Sequence, residues 1–474
     1  MSILDYGGFD DDPEDEQERK DRFDDELKKY RDMMNDGSAG PTNIEALEEI
    51  VAYYFENEKF EDALHFVNQL LTLVPYSGDF WQRKGFILSN LSRYDEAVEC
   101  FDRSLGFNPV DPETLVNRGI ALDDLGRTDE ALASYNRALE IDPANEDALF
   151  NKGITFEKTG QYDEAEQIFR YILEGNPANK DAWYELGYCH DFLEKPEESL
   201  RCYDEHLRLD PYNHNAWYNR GIVLNRMAQY HRALESYDTA LALHEKFPAA
   251  WYNKGNAFAN LGRLNDAIAC YRKTLDLDEH DVPAWHNLGN AYEELADYFE
   301  AIRCFTMAIR HDPQHYESFF GRGSCHDSLE QFKKALSDYN KALGLCKDYP
   351  ELWYAKADLL YNMGRTRESL ISYRMVTRLS PDNHEAWLDY GDTLFELGFT
   401  KQALKALDRA MALNPSSSDI YYSRAKILMV LNRTHEAVEA LWSSFQLDPL
   451  KQKVFEQEFP EITSLTEFQN LLRR

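Results

Sequence analysis

The sequence predicts an all-α fold: a solenoid of about twelve helix-turn-helix hairpins of 34 residues, closed by a C-terminal capping helix. Three observations carry that prediction. One register of 34 holds from about Asn43 to Lys451 without insertion or deletion. Within each row, apolar residues recur at spacings of three, four and seven, which marks one face of a helix. Short Gly-containing or polar turns and a closing proline fall at fixed places between the apolar stretches.

The first helix of each row opens on a large residue, as at Trp81, Leu115, Trp183, Trp217, Trp251, Trp285, Trp353 and Trp387. Four residues on, a small residue follows: Gly85, Gly119, Gly153, Gly187, Gly221, Gly255, Gly289 and Gly323 are examples. Small residues let two helices approach closely while the large residue fills the space beside them. A turn such as Leu125-Gly126-Arg127-Thr128 leads to the second helix. That helix carries Ala, as at Ala97, Ala131 and Ala165, then an aromatic, as at Phe101, Tyr135 and Phe169.

Proline closes most rows, because it lacks an N–H and clashes with the turn before it. Glu245, Glu279 and Lys347 stand where it is missing, so slightly different junctions are expected there. In the third row Asp111 is placed to cap a helix, with Pro112 at its first position and Glu113 at the positive end of the dipole. A lone hairpin cannot bury its apolar face, so the rows must stack.

These residues make a W-x2-L-G-x2-Y…A-x3-F…P pattern that resembles the tetratricopeptide repeat over roughly 86% of the chain. The resemblance implies a right-handed superhelix whose concave face is built mainly from the first helices, and a function in binding proteins or peptides.

The chain divides into an acidic, largely disordered arm over 1–42, the repeats over 43–451 and a capping helix over 452–474. The arm holds fourteen acidic and six basic side chains, too polar a mixture to build a core. After Lys451, the residues Phe455, Phe459, Ile462, Leu465, Phe468, Leu471 and Leu472 supply an apolar face to cover the last hairpin. Ser464 with Glu467 reads as a capping box.

Composition narrows the function. Lys and Arg number 51 against 85 Asp and Glu, a net charge of -34. So acidic a surface repels phosphate backbones and anionic lipid heads and attracts basic partners. No nucleic acid and no membrane insertion are expected, and no secretory signal opens the chain. Seven scattered cysteines without C-x-x-C spacing form no disulfide framework. Cys100, Cys202, Cys270 and Cys304 share one row position and read as small buried apolar residues. A reducing cytoplasm fits.

No catalytic motif is present: no phosphate-binding G-x-x-x-x-G-K-[ST], no dinucleotide G-x-G-x-x-G and no H-E-x-x-H. Thirteen histidines show no pair at metal-ligand spacing, and His190 and His326 read as packed structural residues. The expectation is no catalytic residue, no metal and no cofactor. About twenty residues follow the last repeat, too few for a fused catalytic domain.

On the family's geometry, five positions of the first helix face inward. They give the candidate groove residues Asn117, Asn151, Tyr184, Tyr188, Tyr218, Asn219, Tyr252, Asn253, Asn256, Asn287 and Asn290, with the acids Asp191, Glu293 and Asp327. An amide donates and accepts at once, which suits an extended peptide backbone. Tyrosine offers contact area and a hydroxyl at low entropic cost. Inward acids favour a basic segment. The same Tyr and Asn residues also suit packing between rows, and both readings stand at the level of sequence. Lys is missing from the first site of the chaperone-tail clamp found in some relatives, so that acidic tail is not an expected ligand. The functional expectation is a scaffold or adaptor holding a basic segment in its groove; the alternative is an assembly component that uses convex or end surfaces.

Overall fold

The computed structural model describes residues 44–461, together with Lys28 and Phe468. The expected arm over 1–42 lies outside the described residues apart from Lys28, as do Ile462, Ser464, Leu465, Glu467, Leu471 and Leu472 of the expected cap. Among the described residues there are 25 helices and no strand. None of these helices is long and apolar enough to cross a membrane.

The helices group into two compact units, divided at Gln229 and Tyr230. The first unit holds α1 (Ile44–Glu56), α2 (Phe60–Leu73), α3 (Gly78–Asn90), α4 (Tyr94–Phe107), α5 (Pro112–Asp124), α6 (Thr128–Ile141), α7 (Glu146–Lys158), α8 (Tyr162–Gly175), α9 (Lys180–Phe192), α10 (Pro196–Leu209) and α11 (His214–Arg226).

The second holds α12 (Tyr230–Leu243), α13 (Pro248–Asn260), α14 (Leu264–Leu277), α15 (Val282–Glu294), α16 (Tyr298–His311), α17 (Tyr316–Ser328), α18 (Phe332–Leu345) and α19 (Pro350–Asn362). It continues through α20 (Thr366–Leu379), α21 (His384–Glu396), α22 (Thr400–Leu413), α23 (Ser418–Val430), α24 (Thr434–Leu447) and α25 (Leu450–Glu458). Odd-numbered helices up to α23 are the first helices of the rows and even-numbered ones the second. Within each unit a helix packs against the helices before and after it in sequence.

The small residue of the first helix lies against the aromatic ring of the second. A Cβ built on Gly119 would sit 2.4 Å from the ring of Tyr135, and one on Gly153 2.6 Å from that of Phe169. These rings are fully buried, each removing enough apolar surface from water to contribute on the order of 2–3 kcal/mol. The size pattern of the sequence is therefore a ring-on-backbone contact repeated along the chain.

Between the two helices of every row one residue adopts a left-handed conformation, at 34-residue intervals from Glu58 to Asn432. Five of the twelve are glycine, Gly126 among them, and seven carry a Cβ, including Ala296 at φ 59. The turn closes as a helix C-cap: Asp297 N–H bonds the carbonyl of Tyr292 and Ala296 N–H that of Glu293.

At the junctions between rows, the indole N–H of the large tryptophan donates to the carbonyl six residues earlier. Trp81 bonds Pro75, Trp183 Pro177 and Trp387 Pro381, at 3.0 to 3.1 Å. The same bond forms where proline is missing, from Trp251 to Glu245, Trp285 to Glu279 and Trp353 to Lys347. The expected difference at those three junctions leaves this bond intact.

First helices are capped largely by side chains, with Asn145, Asn179, Asn213, Asp281 and Asn383 each accepting an N–H three residues on. Asp111 departs from the expectation. Its carboxylate takes the Thr114 hydroxyl at 2.5 Å and makes no backbone cap bond, so Pro112 alone starts α5.

Six of the seven cysteines are buried, with no disulfide among the described residues. His190 and His326 are buried too. At the end, α25 begins directly after Pro449, earlier than the sequence boundary at 452 suggests. Its Phe455 packs on Phe445, Phe459 and Phe468, covering the last hairpin.

Candidate partner-binding face

The candidate residues lie along the first helices at steps that keep them on one side. On α9, Tyr184, Glu185, Tyr188 and Asp191 stand at i, i+1, i+4 and i+7, opposite the buried Ala182, Leu186, Cys189 and His190. Residues 34 or 35 apart then face each other on successive first helices.

In the first unit, much of this face bonds to itself. Asn219 on α11 donates to the hydroxyl of Tyr184 at 2.8 Å, and the Tyr184 ring packs against Tyr203 and His206. Asn151 donates to the Asp147 carbonyl of its own helix. Asn117 and Tyr218 are half-buried on α5 and α11. Tyr188 packs with Phe192 and Tyr162, whose rings stack at 4.6 Å. Two acids have cations from the next row: Asp123 is bound by Lys158 and Asp191 by Arg226.

Glu157 and Glu185 differ. Glu157 on α7 accepts the Cys189 thiol at 2.9 Å and shares a hydrogen bond with Glu185 on α9. Burial pushes Glu157 up to about 7. Glu185 is raised well above the carboxylate range by burial and then by the charge of Glu157. Neither enters an ion pair among the described residues, so the two carboxyls hold a proton between them in a poorly solvated place.

In the second unit, Asn287 on α15 donates to the hydroxyl of Tyr252 and to Asn256 Oδ1, both at 3.0 Å, and Tyr271 donates to the same oxygen. Asn253 donates to the Ala249 carbonyl. Asn290 is exposed and donates to His286. Tyr252 with Asn287 thus repeats the Tyr184–Asn219 bond two rows on. The amides expected to offer themselves to a peptide are partly engaged in joining one row to the next.

The acids of the second unit form the more open chemistry. Glu293 on α15 and Asp327 on α17 are raised by burial, and Glu293 is bonded to Ser324. Three carboxylates missing from the sequence candidates extend them: Asp358 on α19, and Asp389 and Asp392 on α21. Asp358 accepts the Tyr373 hydroxyl at 2.5 Å, Asp389 that of Tyr354, and Asp392 that of Ser423 at 3.0 Å. Burial raises all three, Asp392 to about 6.

Their signal was in the register. Stepping 34 residues on from Asn256 and Asn290 reaches Ser324, Asp358 and Asp392, and from Asn287 in three steps Asp389. Among the described residues, Glu293, Asp327, Asp358, Asp389 and Asp392 enter no ion pair.

The basic side chains are committed elsewhere. Arg118–Asp102, Arg220–Asp204, Lys254–Asp238 and Arg424–Asp408 tie a first helix to the second helix before it, at 2.6 to 3.0 Å. Arg127–Glu130, Arg263–Asp266 and Arg433–Glu436 close the start of second helices. These cations are spent on contacts within and between rows, while Glu293, Asp327, Asp358, Asp389 and Asp392 are left without an ion-pair partner among the described residues.

Sequence profiles of the tetratricopeptide repeat match residues 78–111, 124–160 and 150–214. The profile of the cilia and flagella-associated protein 70 C-terminal domain matches residues 223–458. No curated protein matches the sequence. Among solved structures, the chain is similar to YrrB, described as a TPR protein with an unusual peptide-binding site. The identity is 26% over 40% of this chain and 98% of that one, with a TM-score of 0.36. It is similar to MamA at 23% identity over 34% and 94% of the two chains, TM-score 0.33. It is also similar to the APC/C hetero-tetramer Cut9-Hcn1 at 16% identity over 92% and 90%, TM-score 0.38.

Proposed function

The chain is a tetratricopeptide repeat protein, and on that premise we propose that it is a non-catalytic scaffold or adaptor holding an extended, basic partner segment against its first helices. One observation carries the reading. In the second unit Glu293, Asp327, Asp358, Asp389 and Asp392 lie on the first helices, raised by burial and without an ion-pair partner among the described residues. Half-buried carboxylates are unfavourable on their own, and a Lys or Arg side chain from a partner relieves that cost. Exposed amides such as Asn290 remain to meet its backbone. The thiols of the seven cysteines favour a cytoplasmic setting, and the charge of -34 disfavours nucleic acid.

The test is fluorescence anisotropy with Lys/Arg-rich and Glu-rich peptides on the full chain and on an Asp358→Asn, Asp389→Asn, Asp392→Asn variant. Asn keeps an acceptor for Tyr373, Tyr354 and Ser423, so the helical circular dichroism stays unchanged. The basic peptide is expected to bind the wild type, more weakly at high salt. Affinity should rise as pH passes about 6, where Asp392 releases its proton. The variant is expected to lose about tenfold, or roughly 1.4 kcal/mol. Equal binding of the Glu-rich peptide, or no loss in the variant, sinks the proposal and favours an assembly role on other surfaces.

A further inference from the structure

His280 precedes α15 and His311 ends α16, 31 residues apart in sequence, which is why spacing alone hides them. In the second unit their rings lie 4.9 Å apart, with the two Nδ1 atoms 3.2 Å from each other. The repeat itself marks this pair as unusual. In the eleven other rows the residue at the place of His311 is Leu, Phe, Ile or Gly, as at Leu277, Phe107, Ile141 and Gly175. The equivalent pair in an early row is Tyr76 and Phe107, an edge-on ring contact at 6.3 Å. Here two imidazoles replace that apolar contact.

We propose that His280 and His311 chelate a first-row transition-metal ion, Zn2+ first among them, through their Nδ1 atoms. Metal–nitrogen bonds of about 2.0–2.1 Å at a tetrahedral angle place the two nitrogens about 3.3 Å apart, close to the separation already present. The Nε2 of His311 is shut away from solvent, so Nδ1 is the nitrogen that ring presents. On the exposed His280 ring, Glu279 lies 3.8 Å from Nε2. Its carboxylate adds negative charge beside the two rings, which favours a cation there.

When the ion enters, the proton between the two Nδ1 atoms moves to an Nε2, so the neutral rings bind without a change of charge. Among the described residues no third His, Cys, Asp or Glu joins them, and water completes the coordination. The ion ties the turn before α15 to the end of α16. This site is independent of the partner-binding reading.

The experiment uses the untagged full chain, stripped with a chelator and titrated with Zn2+ against a chromophoric zinc chelator, with melting followed in parallel. One Zn2+ per chain is expected, with a zinc-dependent rise in melting temperature. His280→Ala and His311→Leu are each expected to weaken that binding by more than tenfold and remove the rise, and Glu279→Gln to weaken it by less than either, the more so at low salt. His311→Leu restores the residue type of the other rows, so its zinc-free melting is expected to match or exceed wild type. His435→Ala, on an exposed ring elsewhere, leaves zinc binding unchanged. Undiminished zinc uptake in both His280→Ala and His311→Leu overturns the proposal, as does a zinc-induced rise that persists in them.

Discussion

Replacing Glu157 by Gln should stabilise the first unit at alkaline pH and flatten its pH dependence. The folded protein holds the Glu157 proton up to about 7, against an ordinary value of 4.5. A carboxyl raised in this way contributes stability that is present below 4.5 and lost as pH climbs to 7. At about 1.4 kcal/mol per unit, the loss amounts to roughly 3 kcal/mol above pH 7. Glutamine keeps an acceptor for the Cys189 thiol and offers an N–H to Glu185, so the variant removes the charge conflict and spares the contacts.

Repeat arrays open piecewise, so a single global midpoint is a poor readout. Native-state hydrogen exchange on the amides of α7 and α9 measures the local opening energy instead. Wild type is expected to lose most of that roughly 3 kcal/mol between pH 4.5 and 8, and Glu157→Gln less, the remainder being set by the buried Glu185. Parallel pH profiles for the two proteins would show that the carboxyl pair is solvated in solution, and the reasoning would fail.

Two further outcomes test the repeat itself. Gly119→Ala puts a methyl 2.4 Å from the buried Tyr135 ring, and is expected to cost about 1–3 kcal/mol of local stability around α5 and α6. Unchanged native-state hydrogen exchange of the α5 and α6 amides would contradict the tight approach. Ala296→Gly relieves a left-handed residue at φ 59 and is expected to slow hydrogen exchange at the end of α15 by an amount equivalent to about 0.5–1 kcal/mol; faster exchange would refute the assignment of strain there.

The fold was legible because its signals add. A size pattern such as Gly119 facing Tyr135 is weak once, and decisive when it returns every 34 residues. The candidate face was less legible, for an identifiable reason. Sequence spacing tells which side of a helix Asn219 and Asn287 occupy, but not that Tyr184 and Tyr252 lie within reach to engage them.

The acids were read helix by helix, so Asp358, Asp389 and Asp392 were passed over although they continue the rows of Asn256 and Asn287. The distinction between Asp191, matched by Arg226, and Glu185, matched only by another acid, depends on the neighbouring row. The turns held a similar surprise. Glycine at Gly126 announces a left-handed residue, whereas Ala296 and Glu330 take the same conformation with nothing in their side chains to signal it.

The tryptophan bonds at the row junctions have an evolutionary corollary. An indole that addresses a main-chain oxygen is indifferent to which side chain hangs beside that oxygen, as Pro75, Glu245 and Lys347 illustrate. Those positions are free to drift in charge and shape without loosening the junction, while Gly119 and its counterparts are pinned by the ring above them. Variation in this lineage should therefore collect at the seams and spare the interior, letting each seam be recoloured for new contacts while the spacing of the array stays fixed.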